Sequence, residues 1–397
     1  MQTTTVGDRI RSWRRRRGGM SQKTLAELAG LSQAYISQIE SGQRPLDRKS
    51  TQAAVASALN ISVSQLLGRA TEKADPMRDR AVAHVPAIRS ALVELSVGER
   101  RPPTRDPDDV RNLVRQATEL RNGADYASLA PLLSPLLLDL GGHGGALAPE
   151  MVETLFAARY ALKTMGYPDL AREAAQLGVR VAEAHGDPAW IGQARYSLVQ
   201  AFPTQNADLG TRVMGSMAAE LEGKSGGALE MYGCTHILAG FTAAIALRAD
   251  DAVAHLDEAA AVAASLGEPE PYGRLSAGFN GNWFGPAQIE VWRVAVAAEL
   301  GDAGTATKVA KRIDLDALPV PNRHTYYWID LARALAAGGK DVDAMHALAQ
   351  AERAAPQHFR FSVVATNLVT TLIARAKRRA VGDDLAALAR KLGIDPV

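Results

Sequence analysis

The sequence has 397 residues and a single cysteine, Cys234, so it can form neither an internal disulfide nor a zinc site built from cysteines. Aromatic residues make up only 5% of the chain, and no stretch approaches the roughly 18 apolar residues that a membrane span needs. Its first apolar stretch is interrupted by arginines at 9, 11 and 14–17, unlike a secretion signal. These absences predict a cytoplasmic protein with no membrane partner.

The residue spacings that catalysis and metal binding require are also missing. The eight histidines are scattered without metal-ligand spacing, and there is no His-Glu-x-x-His. The glycine-rich stretch 141–145 has no Lys-Ser or Lys-Thr after it and no strand pattern before it, so it does not fit a phosphate-binding loop. We therefore expect no metal, no cofactor and no enzymatic activity.

The charges that are present are distributed unevenly along the chain. Residues 1–70 carry 11 Lys or Arg and 4 Asp or Glu, a net charge of +7. The remainder carries 34 basic and 39 acidic residues, a net charge of −5. A basic segment joined to an acidic remainder indicates that the first segment alone contacts a polyanion.

Helix signals are dense in residues 1–70. Apolar residues at helical spacing, serines placed as N-caps and glycines placed as stops predict helices over 6–17, 22–29, 33–41, 48–59 and 62–67. Ala26 is small enough for two helices to cross, and Gly30 suits the tight turn between the second and third helices. Five short helices of this kind predict a compact domain.

The stretch from Gln22 to Ser41, and above all Ile36-Ser-Gln-Ile-Glu-Ser-Gly42, resembles the Cro-like phage-repressor (XRE) helix-turn-helix family over residues 6–67. The resemblance implies a transcription regulator that binds double-stranded DNA, as a homodimer on a palindromic operator. It implies that Gln33, Ala34 and Gln38 face base edges in the major groove, because a glutamine amide matches adenine and an alanine methyl suits thymine. The full set of implied DNA-binding residues is Gln22, Ser32, Gln33, Ala34, Tyr35, Ser37, Gln38 and Arg44. Glu40 is expected to be structural, and whether Arg14 to Arg17 touch DNA stays open.

A repeat pattern follows in the second part of the chain. Gly339 is followed by Ala344, Leu348 and Ala351, and Gly301 by Ala306, Ala310 and Ile313, at the same three offsets. Similar starts at Gly123, Gly166 and Ala249 lie mostly about 38–43 residues apart, with one unmatched unit near Asp208. The pattern predicts an α-solenoid that resembles tetratricopeptide repeats, with an alanine-rich helical bundle as the alternative.

The predicted fold class is therefore all-α. A five-helix helix-turn-helix domain occupies residues 1–70, a linker with a short helix near 86–95 occupies 71–107, and a helical-repeat domain for dimerisation and effector binding occupies 108–397. The stretch 98–107, rich in charge and proline, is predicted to be the connector proper.

A repeat domain of this size is larger than dimerisation requires, so we expect it to sense a small molecule or a peptide. An alternative is a scaffold whose repeats hold a partner protein while the first domain tethers it to DNA. Polar and aromatic residues on the first helix of each pair are candidate groove residues: Tyr232, His236, Trp292, Arg293, Arg323, Tyr327 and Asn367. The aromatic stretch 278–285 is a candidate lid, and the competing interpretation places all these aromatics in the core between repeats.

Overall fold

The computed structural model of the chain describes residues 5–17, 19–68, 76–269, 279–376 and 383–394. All regular structure in these ranges is helical, which confirms the predicted all-α class. None of the helices in these ranges has the length and apolar character needed to cross a membrane. We call residues 5–68 the head and the described residues from 76 onward the body.

The head contains the five predicted helices: α1 (Val6–Arg16), α2 (Gln22–Ala29), α3 (Gln33–Glu40), α4 (Lys49–Ala58) and α5 (Val63–Leu67). Ser21 and Ser32 cap α2 and α3 as predicted, each accepting a hydrogen bond from a backbone N–H three residues on. Gly30 closes α2 at φ +63°, a conformation that glycine adopts without steric cost. A small apolar core that includes Ile10, Ile36 and Leu66, all fully buried, holds the five helices together.

The body contains seventeen helices within the described residues. They are α6 (Pro76–Val82), α7 (Val85–Ser96), α8 (Pro107–Asn122), α9 (Tyr126–His143), α10 (Ala148–Thr164), α11 (Pro168–His185), α12 (Pro188–Gln200), α13 (Ala207–Leu221), α14 (Gly227–Ile245), α15 (Ala249–Leu266), α16 (Pro286–Leu300), α17 (Ala303–Ala310), α18 (Pro321–Ala337), α19 (Asp341–Ala354), α20 (Pro356–Phe361), α21 (Val363–Ala376) and α22 (Asp383–Lys391).

The repeat pattern seen in the sequence corresponds to helical hairpins. Gly123, Gly166, Gly301 and Gly339 each lie in the turn between the two helices of a hairpin. The unmatched unit is the pair α12 and α13, where a 3-10 turn at Thr204–Asn206 replaces the short glycine turn. Small residues after each turn, such as Ala306 and Ala344, are fully buried because the two helices pack closely there. The predicted helical-repeat solenoid is confirmed.

The first helices of successive hairpins form the inner wall of the solenoid. Helices α8, α10, α12, α14, α16 and α18 each contact the next, and α18 in turn contacts α8. The Asn322 side chain donates to the Arg121 carbonyl at 3.0 Å, and the Tyr126 hydroxyl lies 2.6 Å from Nδ1 of His358. The solenoid therefore curves far enough for its last turns to rest on its first.

The expectation of a linker over 71–107 needs correction. Helices α6 and α7 both pack against α9, and their buried residues Ala81, Val85, Ile88 and Leu92 belong to the same core as α9 and α10. These four residues follow helical spacing, with Arg89 as the one Lys, Arg, Asp or Glu between them. Within residues 76–107 the longest stretch without helix is 97–106, which corresponds to the predicted connector.

The junction at His358 makes stability depend on pH. Burial lowers the pKa of His358 from its ordinary 6.5 to about 4. Because the unfolded chain binds this proton more readily, the stability contribution is complete above pH 6.5 and is lost as the pH falls toward 4. We expect His358→Gln to make the fall in the free energy of unfolding between pH 6.5 and 4.5 shallower, by up to about 1.4 kcal/mol per pH unit. Denaturant titrations at several pH values measure this slope, and equal slopes for both proteins would contradict the assignment.

Candidate nucleic-acid interface

Helix α3 is held by α1 and α2 so that one of its faces stays free. Ile36 and Ile39 anchor its inner face and are 0% and 2% exposed. Ala26 on α2 is buried at the crossing with α3, as predicted. Gly7 lets α1 approach the end of α3, because a Cβ there would lie only 2.5 Å from the Ile39 carbonyl oxygen. Small residues at both crossings thus fix the orientation of α3.

The outer face of α3 carries most of the residues that the sequence predicted for DNA binding. Ser32, Gln33, Ala34, Ser37 and Gln38 are all exposed. Tyr35 is half-buried, and the Arg44 guanidinium stacks 4.3 Å from the centre of its ring. Together these residues present amide, hydroxyl, methyl and guanidinium groups on one surface, which is the mixture that reads base edges and phosphates.

Glu40 is structural, as expected, and it engages two residues considered for DNA. Its carboxylate is almost fully buried and accepts hydrogen bonds from Arg14 Nε at 2.8 Å and from the Gln22 amide nitrogen at 2.8 Å. Burial opposes the charge of Glu40, but the hydrogen bonds from Arg14 and Gln22 and the nearby charge of Arg11 lower its pKa. One of the two amide N–H groups of Gln22 is therefore engaged by Glu40, and the other is left for a phosphate contact.

The arginine run at the end of α1 divides into two groups. Arg14 faces inward toward Glu40 and the Met20 carbonyl, which is 2.5 Å from its Nη1. Arg15, Arg16 and Arg17 are exposed, and Arg17 donates to the Asn60 carbonyl at 2.8 Å. The exposed three supply much of the positive charge of the head.

Comparison with known families agrees with this geometry. Residues 5–67 match the family model described as a helix-turn-helix domain. The head is a helix-turn-helix domain. No curated protein and no solved structure matches the chain. The presence of this domain supports a DNA-binding regulator. The match covers the head alone, so the body has to be interpreted from its own contacts.

An ion cluster that the sequence did not predict clamps the helix-turn-helix domain to the body. The Glu299 carboxylate, fully buried at the end of α16, accepts hydrogen bonds from the backbone N–H groups of Lys49 and Ser50, the first two residues of α4. Arg333 of α18 donates to Glu299 at 3.0 Å and to the Asp47 carbonyl at 3.0 Å. A carboxylate at a helix N-terminus is favourable, so Glu299 acts as a cap for α4 from the other domain.

A cleft separates the rest of α3 from the body. It has a volume of about 340 Å³, and Tyr35, Gln38 and Arg44 line its head side. Arg375 lies on the opposite wall and donates to the Gln43 carbonyl at 2.9 Å. Gln33, Ala34 and Ser37 are not among the residues that line this cleft.

Three of the candidate groove residues, Tyr232, His236 and Arg293, contact the second helix α15, and a fourth, Trp292, packs on the first helix α14. The Tyr232 hydroxyl donates to Glu258 of α15 at 2.8 Å, and the His236 ring lies against His255 of α15. Trp292 packs edge-on to Phe241, and Arg293 pairs with Asp257 of α15 at 2.8 Å. These contacts agree with the competing interpretation, in which such residues join helices.

The other three candidates differ from one another. Tyr327 is 3% exposed in the core, and its hydroxyl points to the Ala310 carbonyl. Asn367 lies on α21, where its amide nitrogen is buried without a hydrogen-bond partner. Arg323 lies near the start of α18, beside aromatic residues of the inner wall, and hydrogen-bonds Tyr196.

The aromatic stretch predicted as a lid packs inward where it is described. Residues 270–278 lie outside the described residues, so the inward packing is described for residues 279–285 alone. Phe279 packs on Trp190 with ring centres 4.7 Å apart, and Phe284 is 2% exposed. Gly233 makes room for Phe284, because a Cβ there would lie 2.0 Å from the ring. Phe284 thus fills the core between α14 and α16, and Phe279 packs on α12.

Sequence reasoning missed four polar residues that the inner wall brings together beside Tyr326, which are Arg121, Arg159, Tyr160 and Tyr196. A signal was available for one of them, because Arg159 is the lone charge in the otherwise apolar stretch 155–162 of α10. Within the described residues, no group of three or more His, Cys, Asp or Glu side chains is arranged to hold a metal ion.

Proposed function

We propose that the protein is a sequence-specific transcription regulator of the XRE type without enzymatic activity, which reads an operator with α3 and senses an effector with its tetratricopeptide-like body. The observation that carries the proposal is the exposed face of α3, where Gln33, Ala34 and Ser37 lie opposite the buried Ile36 and Ile39. A duplex DNA target would place the protein in the cytoplasm.

The chemistry of this face suits the major groove. The Gln33 amide offers one donor and one acceptor, which match N7 and N6 of adenine. The Ala34 methyl suits the thymine methyl, and Ser32 and Ser37 suit phosphate oxygens. Arg15, Arg16 and Arg17 are exposed and strengthen attraction to the DNA backbone.

A single domain of this size makes few contacts, so we propose that two chains bind a palindrome. The two recognition helices would then enter major grooves about 34 Å apart. Because Glu299 and Arg333 attach each head to its own body, the bodies would set the spacing and orientation of the heads. An effector that favours one arrangement of the bodies would thereby change operator affinity.

The proposal is tested by selecting operators from a random DNA library with the full chain and measuring affinity by fluorescence anisotropy. We expect a palindromic consensus and binding at least 1,000-fold tighter than to random duplex, the lower end for specific recognition. Affinity should fall as salt rises, with a logarithmic slope of about −0.9 per phosphate contacted. Equal affinity for selected and random duplex would refute the proposal. A stable protein partner that leaves operator affinity unchanged by small molecules would favour the scaffold alternative.

A further inference from the structure

The inner wall of the body holds a buried arginine without an acidic partner. Arg159 on α10 is 2% exposed, and its Nε donates to the Ser197 hydroxyl at 3.2 Å. Its Nη2 is buried and makes no hydrogen bond. Among the described residues no carboxylate lies within ion-pair distance of Arg159. Burying an unpaired cation costs free energy, so a bound anion would explain why the fold keeps Arg159 here.

Two further arginines, Arg121 and Arg323, lie near Arg159. The guanidinium groups of Arg121 and Arg159 lie 4.5 Å and 4.6 Å from the centre of the Phe156 ring. Burial lowers the pKa of both groups to about 10, and each charge also disfavours the other. Arg323 of α18 adds a third positive charge that acts on Arg121. Glu153 offsets part of the charge of Arg121, which leaves the side of Arg159 and Arg323 with an excess of positive charge.

The surroundings of these arginines are aromatic and reachable from solvent. Tyr160 lies 5.6 Å below the Arg159 guanidinium, and the Tyr326 ring meets His358 edge-on at 4.4 Å. Tyr326 is 39% exposed, although burial among the inner helices raises its pKa well above the ordinary value. The exposed part of the Tyr326 ring is where solvent reaches this cluster. Gln193, one turn before Ser197 on α12, adds an amide nitrogen that is buried without a partner.

We propose that this cluster, which we call the arginine–tyrosine site, binds a small aromatic carboxylate. Its carboxylate pairs with Arg159 and Arg323, and its ring lies among Tyr160, Tyr326 and His358. A carboxylate fits because the N–H groups of Arg159 Nη2 lack an acceptor, and flat aromatic walls favour a flat ligand. If the protein is a regulator as proposed, an aromatic carboxylate bound at this site would be its effector. Only this regulatory role rests on the proposed function.

Benzoate serves as the probe, its neutral isostere benzamide as the comparison and inorganic phosphate as the competing anion. Isothermal titration calorimetry on the full chain should show saturable benzoate binding that is at least 10-fold tighter than benzamide binding. Arg159→Gln should weaken benzoate binding at least 10-fold. Arg172→Gln, at an exposed position on α11, should leave it unchanged. Equal binding by the parent and Arg159→Gln, or no benzoate binding, would overturn the proposal, and saturable phosphate binding in its place would overturn the aromatic carboxylate.

A stability measurement separates a ligand-binding arginine from a structural one. We expect Arg159→Met without ligand to unfold at the same temperature as the parent or a higher one, because the variant removes an uncompensated charge. A lower midpoint, together with unchanged benzoate binding, would assign Arg159 a structural role and overturn the site. No DNA is present in either measurement, so a negative result would not bear on operator recognition. Likewise, a lack of operator binding would not bear on the arginine–tyrosine site.

Discussion

Arg333→Ala should lower the free energy of unfolding by about 3–5 kcal/mol, the usual effect of breaking a buried ion pair from one side. Arg333 is 4% exposed and contacts Glu299 at 3.0 Å and Asp330 at 2.7 Å. Its own burial would lower the pKa of Arg333, but the charges of Glu299, Asp330 and Asp47 raise it. Removing the guanidinium leaves these carboxylates buried without their main cation. Chemical denaturation followed by circular dichroism measures the loss.

The matched control is Arg172→Ala, which breaks an ion pair between neighbours on the exposed face of α11. Exposed pairs contribute about 0–1 kcal/mol, so this variant should resemble the parent. A second readout is local, since hydrogen exchange at the Lys49 and Ser50 amides should accelerate in Glu299→Ala, which removes their acceptor. Similar losses for Arg333→Ala and Arg172→Ala would show that the clamp contributes little to stability.

Gln33→Ala should weaken binding to the selected operator by about 1–3 kcal/mol, which is about 5-fold to 150-fold, because a bidentate contact to a base is lost. Gln33 is exposed at the start of α3 and lies outside the cleft that Gln38 shares with the body. The variant should also discriminate less between base pairs at one position of each half-site. Anisotropy titrations against operators substituted one pair at a time measure both effects.

Gln116→Ala makes the same chemical change at an exposed position on α8 of the body and serves as the control. It should bind the operator as the parent does and keep its base preferences. If Gln33→Ala also keeps parental affinity and specificity, α3 is not the reading helix in the way we propose. Loss of affinity on random and selected DNA alike would instead assign Gln33 to a backbone contact.

The head could be predicted from sequence because its determinants are local. Ser21, Gly30 and Ser32 set helix ends within a few residues, and the spacing of Ile36 and Ile39 identifies the buried face of α3. The hairpins of the body were predictable for the same reason, since each needs only a turn residue and small residues at helical spacing. Even the role of Glu40 followed from a local argument, because a carboxylate beside phosphates would repel them.

The closure of the solenoid and the clamp on the head could not be predicted in this way. Asn322 meets Arg121, and Arg333 meets Asp47, across more than 200 residues of sequence. No local pattern records such contacts. The position of Tyr232 and His236 could not be predicted for a related reason, because their spacing places them on one face of α14 without saying which face.

Helix α4 starts at Lys49 without a side-chain cap from Arg48, the residue that precedes it, and Glu299 supplies the missing acceptor from the end of α16. The opening turn of α4 thus takes its cap from a carboxylate some 250 residues away in the sequence. Since α4 packs on α2, and α2 on α3, fraying at this turn would loosen the helices that support α3. A displacement of α16 by an ångström or two would then change the order of the head, and with it DNA binding. No rigid rotation of one domain against the other would be needed.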